Sequence, residues 1–357
     1  MVKMNINKLA AQTRRGFTLI ELLGAIAIIG IMTGMVMFTL AGAQEDAKRA
    51  KTKATIEKLN AVILQKFEEF RYRTIKLPIP QSYTQRNFGM AATAGSLEAA
   101  PLLRPRSVAT IRTVVLKDYM RMELPDKQSD LTYTPTTLTN ILLENGATVT
   151  LDDFGGRYCP RDYNVLRNYF NLGSISEPVT GAPTLSTNPL SGTRPTWTDT
   201  FESAECLYAI VANSFISGAT ALEGFHASEI GDVDGDSYPE FVDAWGFPIR
   251  FIRWPAGHDS QLNLSYKSTP DAFDPHRTNG AWSNAGLTQK PWTLIPLIVS
   301  AGPDANFGIG DSFNPIYATV QNPYAPDTDN PGVGVTVVPG GVNAMSDNIS
   351  NHDMLLE

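Results

Sequence analysis

The chain has 357 residues, which is long enough for a sizeable core, and its formal net charge of −7 makes it acidic. An acidic chain lacks the positive charge that holds nucleic acid without sequence preference, so we expect no nucleic-acid partner. Its two cysteines, Cys159 and Cys206, are too few for a disulfide scaffold but enough for one bridge in an oxidising compartment. We expect that bridge, and two buried free thiols are the alternative.

The N-terminus has the charge pattern of a membrane-inserted segment. Residues 1–16 carry Lys3, Lys8, Arg14 and Arg15 and no acid, and an uncharged apolar run extends from Leu22 to Ala43. About 22 residues of helix cover roughly 30 Å, the thickness of a bilayer's hydrocarbon core. The basic flank predicts a cytoplasmic N-terminus and a C-terminal domain on the other side of the membrane.

One carboxylate, Glu21, lies at the edge of this apolar run. A charge near the centre of a membrane costs on the order of 2.5–3.5 kcal/mol on insertion scales, and less near the edge. Charged residues in such places are functional by default and have a partner. A plain membrane anchor has no use for Glu21, so we predict an interaction partner for its side chain.

The basic leader ending in Gly16, followed by Phe17-Thr18-Leu19-Ile20-Glu21-Leu22-Leu23 and an apolar helix, resembles the type IV pilin family, which includes the pseudopilins of type II secretion. The resemblance implies that a prepilin peptidase cuts between Gly16 and Phe17 and methylates the new amine. It further implies that each Glu21 meets the N-terminal amine of a neighbouring subunit in a helical filament. The implied partners are that peptidase, copies of the chain or other pilin-like subunits, and an inner-membrane assembly platform.

Two other interpretations of the N-terminus compete with this resemblance. A cleaved secretory signal has an apolar core of about 7–15 residues with small residues before its cut, and this core is longer with no such site clearly following. An uncleaved single-pass anchor fits the length of the run, but it explains neither Gly16 nor Glu21.

Behind the apolar run, the sequence predicts that the same helix continues with an amphipathic face. No glycine or proline occurs between Ala43 and Pro78, and proline cannot continue a helix, so we expect one helix over residues 17–77, roughly 90 Å long. Charged residues fill one side of its second half. The apolar positions at helical spacing are Ala47, Ala50, Ala54, Leu59, Val62, Ile63, Phe67 and Phe70.

These boundaries divide the chain into a leader (1–16), a membrane or filament-core half-helix (17–43), an amphipathic half-helix (44–77) and an extracytoplasmic globular domain (78–357). Within the globular domain, 81–195 exceeds what a small pilin needs and is predicted to be an insertion. The patterns there and beyond predict helices at 108–124, 138–144, 161–170 and 200–214, and strands at 247–254 and 292–300.

We therefore expect an α+β, type IV pilin-like fold in which the second half of the long helix packs against a small antiparallel sheet. The stretch Asp243-Ala-Trp-Gly-Phe-Pro-Ile resembles the turn that precedes a sheet strand in major pseudopilins. The stretch from Ile298 to Asp304, together with Asp347-Asn348-Ile349, resembles the C-terminal loop of that group.

A cluster of acidic residues predicts a calcium site. Asp232, Asp234, Asp236 and Glu240 are spaced so that a tight loop can wrap several oxygens around a hard cation, with the Tyr238 carbonyl as a further ligand. A solvated acidic turn is the alternative, since Ser237 stands where such loops usually have glycine. The family resemblance implies a second calcium loop near the C-terminus. Its acids are Asp304, Asp311 and Asp347.

Motifs of catalysis are missing from the sequence. The four histidines have no metalloprotease spacing, and there is no Gly-x-Ser-x-Gly nucleophile motif, so we predict that the chain is not an enzyme. The expected function is that of a pilin or pseudopilin subunit, inserted in the inner membrane and then assembled into a filament. The alternative is a surface-displayed binding or adhesion module on a pilin-type helix, and an enzyme on such an anchor is a third possibility.

Overall fold

The computed structural model describes most of the chain outside the leader and several long segments. The described residues are 17–75, 105–132, 141–142, 148–149, 159–175, 197–198, 200–216, 218–256, 258, 260–262, 271–275, 293–307 and 347–354. The chain divides into two compact units, Met1–Lys48 and Arg49–Glu357.

A single long helix, α1, runs from Leu19 to Tyr72 and belongs to both units. The prediction of one uninterrupted helix is confirmed, although the structure ends it at Tyr72 and the predicted terminus at Leu77 lies outside the described residues. In the first unit all the large apolar side chains of α1 are exposed to the surroundings.

The part of α1 in the second unit buries one face. Its buried residues are Thr52, Thr55, Ile56, Leu59, Val62, Ile63, Phe67 and Phe70. The predicted stripe is correct from Leu59 onward, but Ala47, Ala50 and Ala54 are exposed. Thr52 and Thr55 occupy the buried face of these turns instead. The Thr52 hydroxyl accepts from the Ala244 N–H, and the Thr55 hydroxyl donates to Glu229.

The largest sheet has three antiparallel strands in the order β7-β8-β9. Strand β7 is Arg250–Ile252, β8 is Leu297–Ser300 and β9 is Ile349–Ser350. Phe251 pairs with Ile298 and Val299 with Ser350, so strands far apart in sequence meet at β8. Both predicted strands therefore exist, but they are shorter than the sequence pattern indicated.

Six two-residue strands among the described residues form three antiparallel pairs. These are β1 (Ile141–Leu142) with β2 (Thr148–Val149), β3 (Phe215–Ile216) with β4 (Ala219–Thr220), and β5 (Ile230–Gly231) with β6 (Glu240–Phe241). The helix predicted at 138–144 is wrong, because Ile141 and Leu142 pair with a second strand.

In the described part of the second unit there are five further α-helices: α2 (Pro105–Glu123), α3 (Gln128–Thr132), α4 (Arg161–Tyr169), α5 (Glu202–Ala212) and α6 (Asn351–Met354). Side chains of α2 and α4, such as Ile111 and Leu166, lie in the same hydrophobic cluster as Leu59 of α1 and Phe251 of β7. The described part of 81–195 thus shares the main core, and its status as an insertion stays a prediction.

The fold is α+β, with a long, apolar N-terminal helix and small antiparallel sheets, as the sequence predicted. Helix α5 lies in the middle of the second unit: it contacts β6 and β7, and its residues Cys206, Leu207 and Ile210 are buried. This position brings α5 against the acidic segment between β5 and β6.

Candidate functional site

Helix α1 begins with a capping arrangement that involves the predicted assembly residue. The Thr18 backbone N–H donates to Glu21 Oε2 at 2.9 Å and the Thr18 hydroxyl donates to the same oxygen at 2.8 Å. In return the Glu21 N–H points at Thr18 Oγ1, 3.4 Å away. This is the geometry of a capping box, in which side chains satisfy the open N–H groups of a helix start. Gly16 lies outside the described residues, and Phe17 is 84% exposed.

The apolar stretch at the start of α1 is exposed among the described residues of its unit. Its large hydrophobic side chains, from Leu19 to Leu40, are between 55% and 84% exposed. The hydroxyls of Thr33 and Thr39 bond back to the carbonyls of Ile29 and Met35, so the two polar side chains of this stretch are satisfied inside the helix. Such a surface suits lipid or the apolar interior of a helical assembly, where polar groups need internal partners. By length and composition α1 can span a membrane.

The acidic segment between β5 and β6 is a tight loop held by its own carboxylates. Asp232 accepts from the N–H groups of Gly235 and Ser237, at 2.8 and 3.1 Å. Ser237 adopts a left-handed conformation, with φ 75°, as glycine does at this position in the calcium loops that the sequence resembles. One carboxylate oxygen each of Asp232, Asp234 and Asp236 lies within 4.8 Å of the others.

The other two loop acids also bond to groups near the loop. Asp234 Oδ2 accepts from the Thr198 hydroxyl at 2.7 Å, and Asp236 Oδ2 accepts from the Thr198 N–H at 3.0 Å. Asp236 Oδ1 accepts from the N–H of Tyr238 at 2.9 Å. The three aspartates therefore shape the loop by bonding to backbone and hydroxyl groups.

The structure also brings together an acidic group that the sequence reasoning missed. One carboxylate oxygen each of Glu205, Asp234 and Glu240 lies within 4.8 Å of the others. Glu205 comes from the buried face of α5, and both glutamates are 0% exposed. The loop spacing alone could not reveal Glu205; the signal was an acid within the apolar sequence Ala204-Glu205-Cys206-Leu207.

Burial strongly affects the ionisation of these two glutamates. Desolvation is the main cause that raises the pKa of Glu205 to about 9, with the negative charges of Asp236, Asp234 and Glu240 adding to it and the Trp197 bond opposing it. Desolvation likewise raises the pKa of Glu240 to about 7, with the loop aspartates adding and the Val233 N–H opposing. Among the described residues no lysine or arginine forms an ion pair with any acid of this cluster.

The turn predicted after the acidic loop is organised by one carboxylate. Asp243, 3% exposed, accepts from the N–H groups of Trp245 and Phe247 at 2.9 and 3.0 Å, and its other oxygen accepts from the Ser300 hydroxyl at 2.7 Å. Within the same unit, the N–H of Ala244 donates to Thr52 Oγ1 of α1 at 3.1 Å. This turn therefore connects the second half of α1 with the β8 strand of the sheet.

A second contact ties α1 to the segment that enters the acidic loop. The Thr55 hydroxyl donates to Glu229 Oε1 at 2.5 Å, and Lys58 Nζ lies 2.9 Å from Glu229 Oε2. Burial acts to raise the pKa of Glu229, but the bonds from Thr55, His226 and Lys58 outweigh it and lower the pKa. Glu229 directly precedes β5, so these bonds attach α1 to the start of the β5–β6 pair that flanks the acidic loop.

The two halves of the predicted C-terminal loop meet in the structure. Asn348 donates to the Phe307 carbonyl at 2.7 Å, and Gly302 lies directly against the backbone of Asp347. Asp304 is exposed and accepts from the N–H of Asn306. Asp311 lies outside the described residues, so calcium at Asp304, Asp311 and Asp347 stays a prediction.

The cysteine prediction is contradicted by the structure. Cys159 and Cys206 are both buried and form no disulfide with each other, so the alternative of two buried thiols applies. Cys206 is 0% exposed on α5, and its side chain lies in the hydrophobic core. Burial raises the pKa of the Cys206 thiol, which disfavours the thiolate that forms disulfides.

The fold and the N-terminal segment define a class of protein: an α+β domain carried on a long helix whose first half is apolar and exposed. Residues 12–37 match the family model of the prokaryotic N-terminal methylation motif. The matched segment includes Gly16, Phe17 and Glu21, and it supports the N-terminal resemblance to type IV pilin-like chains. No curated protein and no solved structure matches the chain.

Proposed function

We propose that the chain is a structural subunit of a type II secretion or type IV pilus-like filament. A prepilin peptidase cuts it between Gly16 and Phe17 and methylates the Phe17 amine, and the subunit then leaves the inner membrane for the filament. The observation that carries this proposal is the methylation motif at residues 12–37. It lies at the start of a helix whose large apolar side chains are exposed on all sides. The work of such a subunit is assembly and retraction rather than catalysis.

Glu21 gives this proposal its assembly step. Both capping bonds from Thr18 go to one carboxylate oxygen, Oε2. The other oxygen can accept from the Phe17 ammonium of a neighbouring subunit while the cap is kept. In a low-dielectric surrounding the two opposite charges offset the desolvation that each would suffer alone.

The pseudopilin branch of the family is the finer part of the proposal. The Asp243 turn supports it, because the sequence Asp243-Ala-Trp-Gly-Phe-Pro resembles the major pseudopilin turn. This turn contacts α1 through the Ala244 N–H and contacts β8 through the Asp243 carboxylate. The C-terminal loop whose sequence resembles that of major pseudopilins supports it further, since its two halves lie together although residues 308–346 separate them in the chain.

A substitution at Glu21 separates a role in assembly from a role in capping. Glu21→Gln keeps an oxygen that can accept from Thr18, since glutamine also serves in capping boxes, but it removes the charge. We expect the variant to insert in the membrane and to yield no filaments in electron micrographs of sheared cells. Glu57→Gln, an exposed acid on the same helix, is the matched control and should assemble as the wild type does.

Normal filaments from Glu21→Gln would contradict the charge pairing and leave capping as the role of Glu21. Loss of the variant from the membrane fraction would also contradict the proposal, because removing a charge favours insertion.

A further inference from the structure

The group formed by Glu205, Asp234 and Glu240 differs from an ordinary acidic turn because part of it is buried without partners. Glu205 Oε2 accepts from the Trp197 indole N–H at 2.5 Å, and Glu240 Oε2 accepts from the Val233 N–H at 3.0 Å. The remaining oxygens, Glu205 Oε1 and Glu240 Oε1, are buried and have no hydrogen-bond partner among the described residues. A buried acceptor without a partner costs free energy, so native proteins rarely leave one unsatisfied.

The unpartnered oxygens belong to the same three-residue group whose carboxylate oxygens approach within 4.8 Å of one another. Three carboxylates this close repel one another, and no lysine or arginine in the described part of the chain pairs with them. A cation between them would satisfy both orphaned oxygens and remove the repulsion. The burial of these two unsatisfied oxygens therefore indicates a bound cation independently of the acidic spacing in the loop.

We propose that Glu205, Asp234 and Glu240 bind a divalent cation of the calcium class. An all-oxygen ligand set is the type that hard cations prefer, and Ca²⁺ accepts the irregular geometry that residues from a helix and a loop provide. The ligand set differs from the one that the loop spacing predicts, because Glu205 of α5 replaces Asp232 and Asp236. Both oxygens of Asp232 and of Asp236 already accept from backbone N–H groups, whereas Glu205 and Glu240 each keep one buried oxygen without a partner among the described residues.

The cation would add a bond between two elements that already pack against each other, for example through the rings of Tyr208 and Phe241. Asp234 and Glu240 belong to the loop and to β6, whereas Glu205 belongs to α5. Bound Ca²⁺ would therefore hold the β5–β6 ladder against α5, just before the Asp243 turn that leads to β7. Loss of the cation would loosen this part of the second unit and leave the N-terminal processing segment unchanged.

The test is cation binding by the full chain in detergent micelles. Trp197 donates to Glu205, so its indole lies next to the proposed site and can sensitise the luminescence of Tb³⁺, a luminescent substitute for Ca²⁺. We expect Tb³⁺ emission that added Ca²⁺ displaces, and a melting temperature that Ca²⁺ raises and a chelator lowers. Absence of both effects in the wild type would overturn the proposal.

Three variants identify the ligands. Glu205→Gln removes one ligand charge and should weaken Ca²⁺ binding by at least about tenfold, since ligand charge tunes the affinity of such sites. Glu202→Gln, on the same helix but bonded to Gln128, is the matched control and should bind as the wild type does. Asp304→Asn, an exposed acid of the C-terminal loop, should also keep its affinity.

Equal affinity in Glu205→Gln and the wild type would overturn the proposal. Loss of binding in Asp304→Asn alone would do so as well, because the cation would then sit in the C-terminal loop. If Glu205→Gln does not fold, as judged by circular dichroism, Glu240→Gln replaces it with the same expected loss.

Discussion

At the scale of single residues, the second unit buries several charges in partnered form. Arg253 is 2% exposed and lies 2.7 Å from Asp130 and 3.3 Å from Asp126. It also donates to the carbonyl of Leu124 at 2.8 Å. Burial acts to raise the pKa of Asp130, but the charges of Arg253, Lys127 and Arg121 outweigh it and hold the pKa below its usual value. This network links the residue that follows β7 with α3 and with the segment just before α3.

Removing one partner of this network should be costly. Asp130→Ala removes the nearer of the two carboxylates that pair with the buried Arg253 guanidinium and leaves Asp126, 3.3 Å away. We expect a loss of about 3–5 kcal/mol in stability, typical of broken buried pairs. The measurement is thermal and urea unfolding of the full chain in detergent.

The matched control is an exposed pair. Glu68 and Arg71 of α1 lie 2.8 Å apart with side chains 43% and 46% exposed, so Glu68→Ala should change stability by only about 0–1 kcal/mol. Similar losses of stability in both variants would contradict the prediction, because the buried network would then contribute no more than an exposed ion pair.

At the scale of elements, the junction between β8 and β9 depends on one glycine. Gly302 follows β8 with φ 72°, and a Cβ added there would lie 2.6 Å from the Asp347 carbonyl oxygen, just before β9. Gly246, in the Asp243 turn, also has a positive φ of 92°, but a Cβ there would meet nothing within 4 Å. The two positions therefore share a conformational constraint and differ in steric space.

Alanine substitutions at these glycines should have different effects. Gly246→Ala should cost about 1–2 kcal/mol from the left-handed conformation alone. Gly302→Ala should cost clearly more, because the backbone of Asp347 must move and the β8–β9 pairing must open. Melting temperatures of the two variants give the comparison, and equal losses would contradict the close approach.

The elements with strong local patterns were predictable from the sequence, and those set by distant contacts were not. The long apolar run and the proline-free stretch to Pro78 predicted α1, and the periodic pattern predicted α2 to within a few residues. Leu142 lies in a strand because it pairs with Thr148, which overrides its helical pattern. Strand β9 is only two residues long, too short to show alternation.

The candidate sites follow the same division. The N-terminal segment was predictable because the methylation motif is one continuous stretch, residues 12–37, that includes Gly16, Phe17 and Glu21. The aspartate loop was predictable from its spacing, but Glu205 was not, because only the packing of α5 brings it to the loop. The disulfide prediction failed because the compartment and the number of cysteines do not determine where a side chain points. Cys206 of α5 lies in the hydrophobic core.

At the scale of the whole molecule, the chain combines two units with different demands. Residues 17–48 present an exposed apolar helix, and residues from Arg49 onward bury a core of helices and small sheets. The exposed helix needs lipid or other subunits around it, whereas the second unit has its own hydrophobic core. A filament subunit needs this combination, because its helix packs among neighbouring helices while its domain faces outward.

Processing at the N-terminus tests this account most directly. Mass spectrometry of the chain isolated from membranes of a cell with a prepilin peptidase should find an N-methylated Phe17 as the first residue. Gly16→Val should leave the larger, uncut chain, because a bulky side chain before the scissile bond blocks the peptidase. A wild-type chain that begins at Met1, or at any residue other than Phe17, would contradict the assignment as a pilin-like subunit.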